Sequence, residues 1–76
     1  MDTKKRGRLR DALKMLESVA AIIETVCEKE EVCIDNYPEN LQSTERFDNM
    51  ENAVDNLNNA LENIDDDKEY IEAAIG

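Results

Sequence analysis

The chain has 76 residues, 19 acidic against 9 basic, for a net charge of −10, and it contains neither histidine nor tryptophan. That length allows one domain at most, near the size at which a single hydrophobic core is marginal and self-association often helps. The acidic balance argues against broad contact with nucleic acid or anionic membrane. Charge is unevenly placed, however. Residues 1–14 carry six positive and two negative side chains, net +4, and the remainder carries 3 against 17, net −14.

In chain order, the first predicted element is a helix over about residues 7–33. Leu9, Leu13, Leu16, Ala20, Ile23 and Cys27 advance by alternating steps of four and three, the pattern of a helix packed on a partner. Ala12, Val19, Val26 and Cys33 flank that seam, with Met15 and Ile22 beyond them, so the apolar arc spans roughly 160°. One partner helix cannot cover so wide an arc. The surplus predicts a second contact, a dimer interface of Met15, Val19, Ile22 and Val26 between two copies, whose relative direction stays open.

Residues 34–43 form the predicted hinge. Pro38 is the only proline; it disfavours helix at Tyr37 and removes a backbone donor, while the surrounding Asn, Asp, Ser and Thr favour turns and caps. With the turn placed near residue 39, residues 6–10 are expected beside residues 68–72. Leu41 is expected to tuck against Phe47 or Met50, with Tyr37 closing the end.

The second predicted helix covers about residues 44–75, with Ser43 or Thr44 as N-cap and Glu45 and Asp48 at the favourable end of the dipole. Its seam runs through Phe47, Met50, Val54, Leu57, Leu61, Ile64, Lys68, Ile71 and Ile75, a heptad pattern broken only by Lys68. Glu51–Leu57 and Asn58–Ile64 share one design, and Asp65–Ile71 is a degraded third copy. Asn49, Asn52, Asn56, Asn58, Asn59 and Asn63 read as outward-facing. The fold class is therefore all-α: an antiparallel two-helix hairpin, one domain, dimerising into a four-helix bundle. Its expected core comprises Leu9, Leu13, Leu16, Val19, Ile23, Val26, Phe47, Met50, Val54, Leu57, Leu61, Ile64 and Ile71.

Residues that carry chemistry are sparse. Without histidine or a second cysteine pair, Cys27 and Cys33 form neither a zinc site nor a CxxC motif, and both read as buried free thiols. Asp65, Asp66 and Asp67 point about 100° apart on a helix and lack the spaced ligands of a calcium loop. No glycine-rich phosphate loop or nucleophile elbow occurs. The expectation is a non-enzymatic protein with no catalytic residue, cofactor or metal. The longest apolar run, Val19–Ile23, is too short for a membrane span or a signal peptide, and a cytoplasmic location is expected.

Two charged surfaces remain. Lys4, Lys5, Arg6, Arg8 and Arg10 oppose the dipole of the first helix, so they suggest either a nucleic-acid contact or pairing with the acidic end of the second helix. Asp48, Asp55, Glu62, Asp66 and Tyr70 lie on the outward face of the second helix. They read as a solvated face, as the binding surface for a protein partner, or as a phosphate-like charge pattern that mimics nucleic acid.

The segment Asp35-Asn36-Tyr37-Pro38-Glu39-Asn40-Leu41-Gln42-Ser43-Thr44-Glu45-Arg46, with the Ala-Val-Asp-x-Leu helix that follows, resembles a group of small helical-hairpin proteins from Gram-positive bacteria and their phages. That group has a D-N-x-P-E-N-L-Q-x-S-E-R turn. Ser43-Thr44 departs from the Gly-Ser common there, as does the Asp65–Lys68 interruption of the heptads. The resemblance implies a phage or mobile-element setting and carries over no activity; the functional expectation is a protein-binding module acting as a modulator or inhibitor of a host protein. It transfers no functional residue.

Overall fold

The computed structural model describes all of residues 1–76. It is a hairpin of two helices without strands: α1, Thr3–Asp35, and α2, Glu45–Ile75, joined by a segment that contains a short 3₁₀ turn at Glu39–Leu41. The two predicted helices and the hinge between them are present. α1 begins four residues earlier than the periodicity indicates, because Asp2 caps it. The Asp2 carboxylate accepts from the Lys5 amide at 2.8 Å, and the Asp2 carbonyl accepts from the Arg6 amide at 3.1 Å. That start carries Gly7 inside the helix, at a cost of about 1 kcal/mol relative to alanine.

Thr44, not Ser43, caps α2. Its hydroxyl accepts from the Phe47 amide and donates to the Leu41 carbonyl at 2.7 Å. Between the helices the chain is extended at Pro38, with ψ of 134°, and then tightens as the Leu41 amide donates to the Pro38 carbonyl at 2.9 Å. Tyr37 closes this end by packing on Phe47, with ring centroids 5.5 Å apart. Leu41, expected against Phe47 or Met50, lies in the 3₁₀ turn and is 41% exposed.

The helices meet along the predicted seams. Half-buried positions on α1 run Leu9, Leu13, Leu16, Ala20, Ile23 and Ile34, and on α2 they run from Phe47 to Ile75, Lys68 included. Glu30 also falls on the α1 seam and is half-buried. Two expected core residues lie outside: Val19 and Val26 are 45% and 48% exposed, because they sit on the flank that α2 does not reach. Cys33 is exposed as well, so only Cys27 is a buried thiol.

The register departs from expectation. Cys27 lies opposite Asn58, and Glu17, Ala20 and Glu24 border one cleft with Lys68, Asp65 and Leu61. Continued along antiparallel helices, this register sets residue 9 level with Gly76. Residues 6–10 therefore do not lie beside residues 68–72. Extended residues advance about 3.3 Å each against 1.5 Å in a helix, so the segment after Asp35 climbs alongside the first turn of α2 before the chain reverses. Asn58, expected to face outward, consequently reaches Cys27.

The hairpin alone is not compact. Its radius of gyration is 17.4 Å, against about 11 Å for a globular chain of this length. Its accessible surface is 5837 Å², against roughly 4700 Å² for a folded monomer of this mass. One residue of 76 is buried.

Candidate interaction surfaces

Three surfaces contain the residues singled out in the sequence. On α1, Met15, Val19, Ile22 and Val26 form a continuous exposed stripe; Met15 and Ile22 are 69% and 65% exposed. Steps of four, three and four make this a second heptad-like seam, about 110° around the helix from the one that contacts α2. Nothing in the hairpin covers it.

On α2, Asp48, Asp55, Glu62, Asp66 and Tyr70 are all exposed and share the face roughly opposite the seam. Asp48, Asp55 and Glu62 recur every seven residues, about 10.5 Å apart along the axis. Tyr70, 76% exposed, extends the row. Asp65, Asp66 and Asp67 fan around the helix, and no three acidic or cysteine side chains converge on one point.

The basic segment is the third surface. Lys4, Lys5, Arg8 and Arg10 are exposed and Arg6 is half-buried. In the observed register the first eight residues project past the end of α2, so the acids of α2 do not neutralise them. The one ion pair of the chain is local, Lys5 Nζ to Asp2 Oδ2 at 4.0 Å. Arg6 Nε is buried without a hydrogen-bond partner.

Two features escaped the sequence reading. Near the turn, an open cleft of about 600 Å³ lies between the helices, bordered by Glu30, Cys33, Tyr37, Arg46 and Met50. Glu30 makes no ion pair there, although Arg46 borders the same cleft. Its place on the α1 seam was visible in the periodicity; the cleft depends on how far the linker climbs, which the periodicity does not encode. The second feature is the polar surroundings of Cys27, itself expected as a buried thiol: its sulfur stands 3.6 Å from both Glu31 Oε1 and Asn58 Oδ1. Burial pushes the thiol's pKa up, and the hydrogen bond and negative charge of Glu31, with the charge of Glu28, add to the shift. A protonated thiol suits that setting and is a poor nucleophile.

No helix is long and apolar enough to cross a membrane. No family model matches the chain, and no curated protein or solved structure is significantly similar to it.

Proposed function

We propose that the chain is a non-enzymatic interaction protein that works as a homodimeric four-helix bundle and presents the acidic row of α2 to a protein partner. The observation that carries this reading is the uncovered stripe Met15, Val19, Ile22 and Val26 on a hairpin that buries one residue. Two helices with so little interior gain stability by burying that stripe against a second copy, at about 25 cal/mol per Å² of apolar surface removed from water. The rigid row Asp48, Asp55, Glu62, Asp66 and Tyr70 then remains outside, available to a basic partner or to one that otherwise binds nucleic acid. In the phage or mobile-element setting that the turn's resemblance implies, that partner would be a host protein and the chain its modulator or inhibitor.

Light scattering after gel filtration tests the dimer. A particle of twice the formula mass is expected, converted to monomer by Ile22→Glu and unaffected by Asn59→Glu. A helical monomer of the formula mass counts against the reading. Affinity capture with the intact acidic row, compared with Asp55→Asn/Glu62→Gln, tests the partner surface.

The projecting basic segment favours a second reading, nucleic-acid binding through Lys4, Lys5, Arg6, Arg8 and Arg10. A gel shift at low salt, absent after conversion of these residues to glutamine, supports it; no shift removes it.

A further inference from the structure

We infer that two hairpins pair antiparallel through α1, about a two-fold axis between Val19 and Ile22, and that the basic first turns of each copy seat beside Glu30 in the turn-end cleft of the other. This rests on the dimer proposed above and adds its direction.

The stripe is centred between Val19 and Ile22. A two-fold axis there sets Met15 opposite the partner's Val26 and Val19 opposite the partner's Ile22, so larger side chains meet smaller ones along the seam. The same point lies near the middle of the rod, whose long dimension is 60 Å, so the two hairpins overlap over their full length. Asp11 and Lys29 occupy one flank of the stripe, separated by about five turns, and the axis brings each Asp11 level with the partner's Lys29.

Charge selects this direction. Residues 1–14 carry net +4, and exposed Lys4, Lys5 and Arg8 among them project past α2, with no acid of that helix across from them. The turn end is acidic, with Glu30, Asp35, Glu39, Glu45 and Asp48. A parallel pair superposes the two basic ends and sets Arg8, which lies in line with the stripe, on the partner's Arg8. The antiparallel pair lays each basic end along the partner's acidic one. It also sets the partner's Arg8 about one turn from Glu30, within reach of an extended guanidinium. Glu30 is half-buried and makes no ion pair in its own chain, and the cleft it borders opens beside Cys33 and Tyr37 at the end of the stripe. A cation from the second copy would complete that site.

Distance measurement between nitroxide labels tests the direction. Asp35, exposed and on the side of α1 away from the stripe, is changed to cysteine in a Cys33→Ser chain, with Cys27 left buried. Pulsed electron paramagnetic resonance on the dimer is expected to give a separation above about 44 Å, the axial component alone at 1.5 Å per residue. A peak below about 30 Å means parallel pairing and overturns the inference. As an independent arm, Arg8→Glu and Glu30→Lys should each weaken dimerisation about tenfold, and the double variant should restore it. Loss without restoration also overturns the inference. A monomer by light scattering instead defeats the dimer itself, a separate and distinguishable result.

Discussion

Cys27 Sγ stands 3.6 Å from Asn58 Oδ1 across the hairpin, and this contact links the one buried residue of the chain to the asparagine-rich side of α2. The thiol has one proton and faces two acceptor oxygens, those of Asn58 and Glu31. It can donate to only one at a time. Turning the Asn58 amide would let its NH₂ group donate to the sulfur while the thiol donates to Glu31.

The raised thiol pKa gives this site a pH signature. Below the ordinary value of 9.0, folded and unfolded chains both hold the proton, and the site adds no pH dependence. Above it the unfolded thiol ionises while the folded one stays protonated, so stability falls as pH rises towards the folded value. Urea denaturation at pH 8 and pH 10 should show a larger loss in the native chain than in Cys27→Ala. Equal losses would show that the thiol is not held protonated by the fold.

The same burial separates the two thiols kinetically. Cys33 is exposed and Cys27 buried, so an aromatic disulfide reagent at pH 8 should titrate one thiol rapidly and the second only as the hairpin opens. Cys33→Ser should abolish the fast phase. Two equally fast thiols would mean that the seam near Cys27 opens freely.

The N-cap of α2 is a single-residue contribution that can be measured. Thr44 both accepts from the Phe47 amide and donates to the Leu41 carbonyl, so Thr44→Ala leaves both groups without that partner. A loss of about 1 kcal/mol is expected, with Thr44→Ser retaining most of it. For a domain of this size that corresponds to a fall in Tm of roughly 4–8 °C, readable by circular dichroism. An unchanged Tm would show that Ser43 or water replaces the cap.

Much of this fold was legible because heptad spacing is a direct consequence of helix geometry. The steps from Leu9 to Cys27 and from Phe47 to Ile75 identify the contacting faces without knowledge of the partner. The pairing of those faces was not legible. The register depends on how far residues 36–44 advance, and Pro38 with the Glu39–Leu41 turn sets that by backbone angles that leave no periodic trace. The error of several residues had a functional consequence, because the expected neutralisation of Lys4–Arg10 by the acids of α2 disappears. The stripe at Met15 and Ile22 could be read as surplus apolar surface. The cleft beside Glu30 could not, since it exists only in the correct register.

Lys68 provides the last test, since it is the one charged side chain on the apolar seam of α2. It is half-buried and borders a cleft with Glu17, Glu24 and Asp65, yet it forms no ion pair within 4.0 Å with any of them. A half-buried lysine on an apolar seam commonly lays its methylenes along that seam and keeps its ammonium in water. If packing dominates at this position, Lys68→Leu removes a polar interruption from the heptad and should stabilise the hairpin by about 1 kcal/mol, the scale for burying roughly one further methylene or two. If attraction to the surrounding carboxylates dominates, the same change should destabilise it, and native stability should then fall with added salt as screening increases. Exposed pairs contribute little individually, and no carboxylate holds the ammonium closely, so the expected result is a higher Tm for Lys68→Leu with no salt dependence lost. A lower Tm would mean that the acids around Lys68 attract it strongly enough to justify its place in the seam.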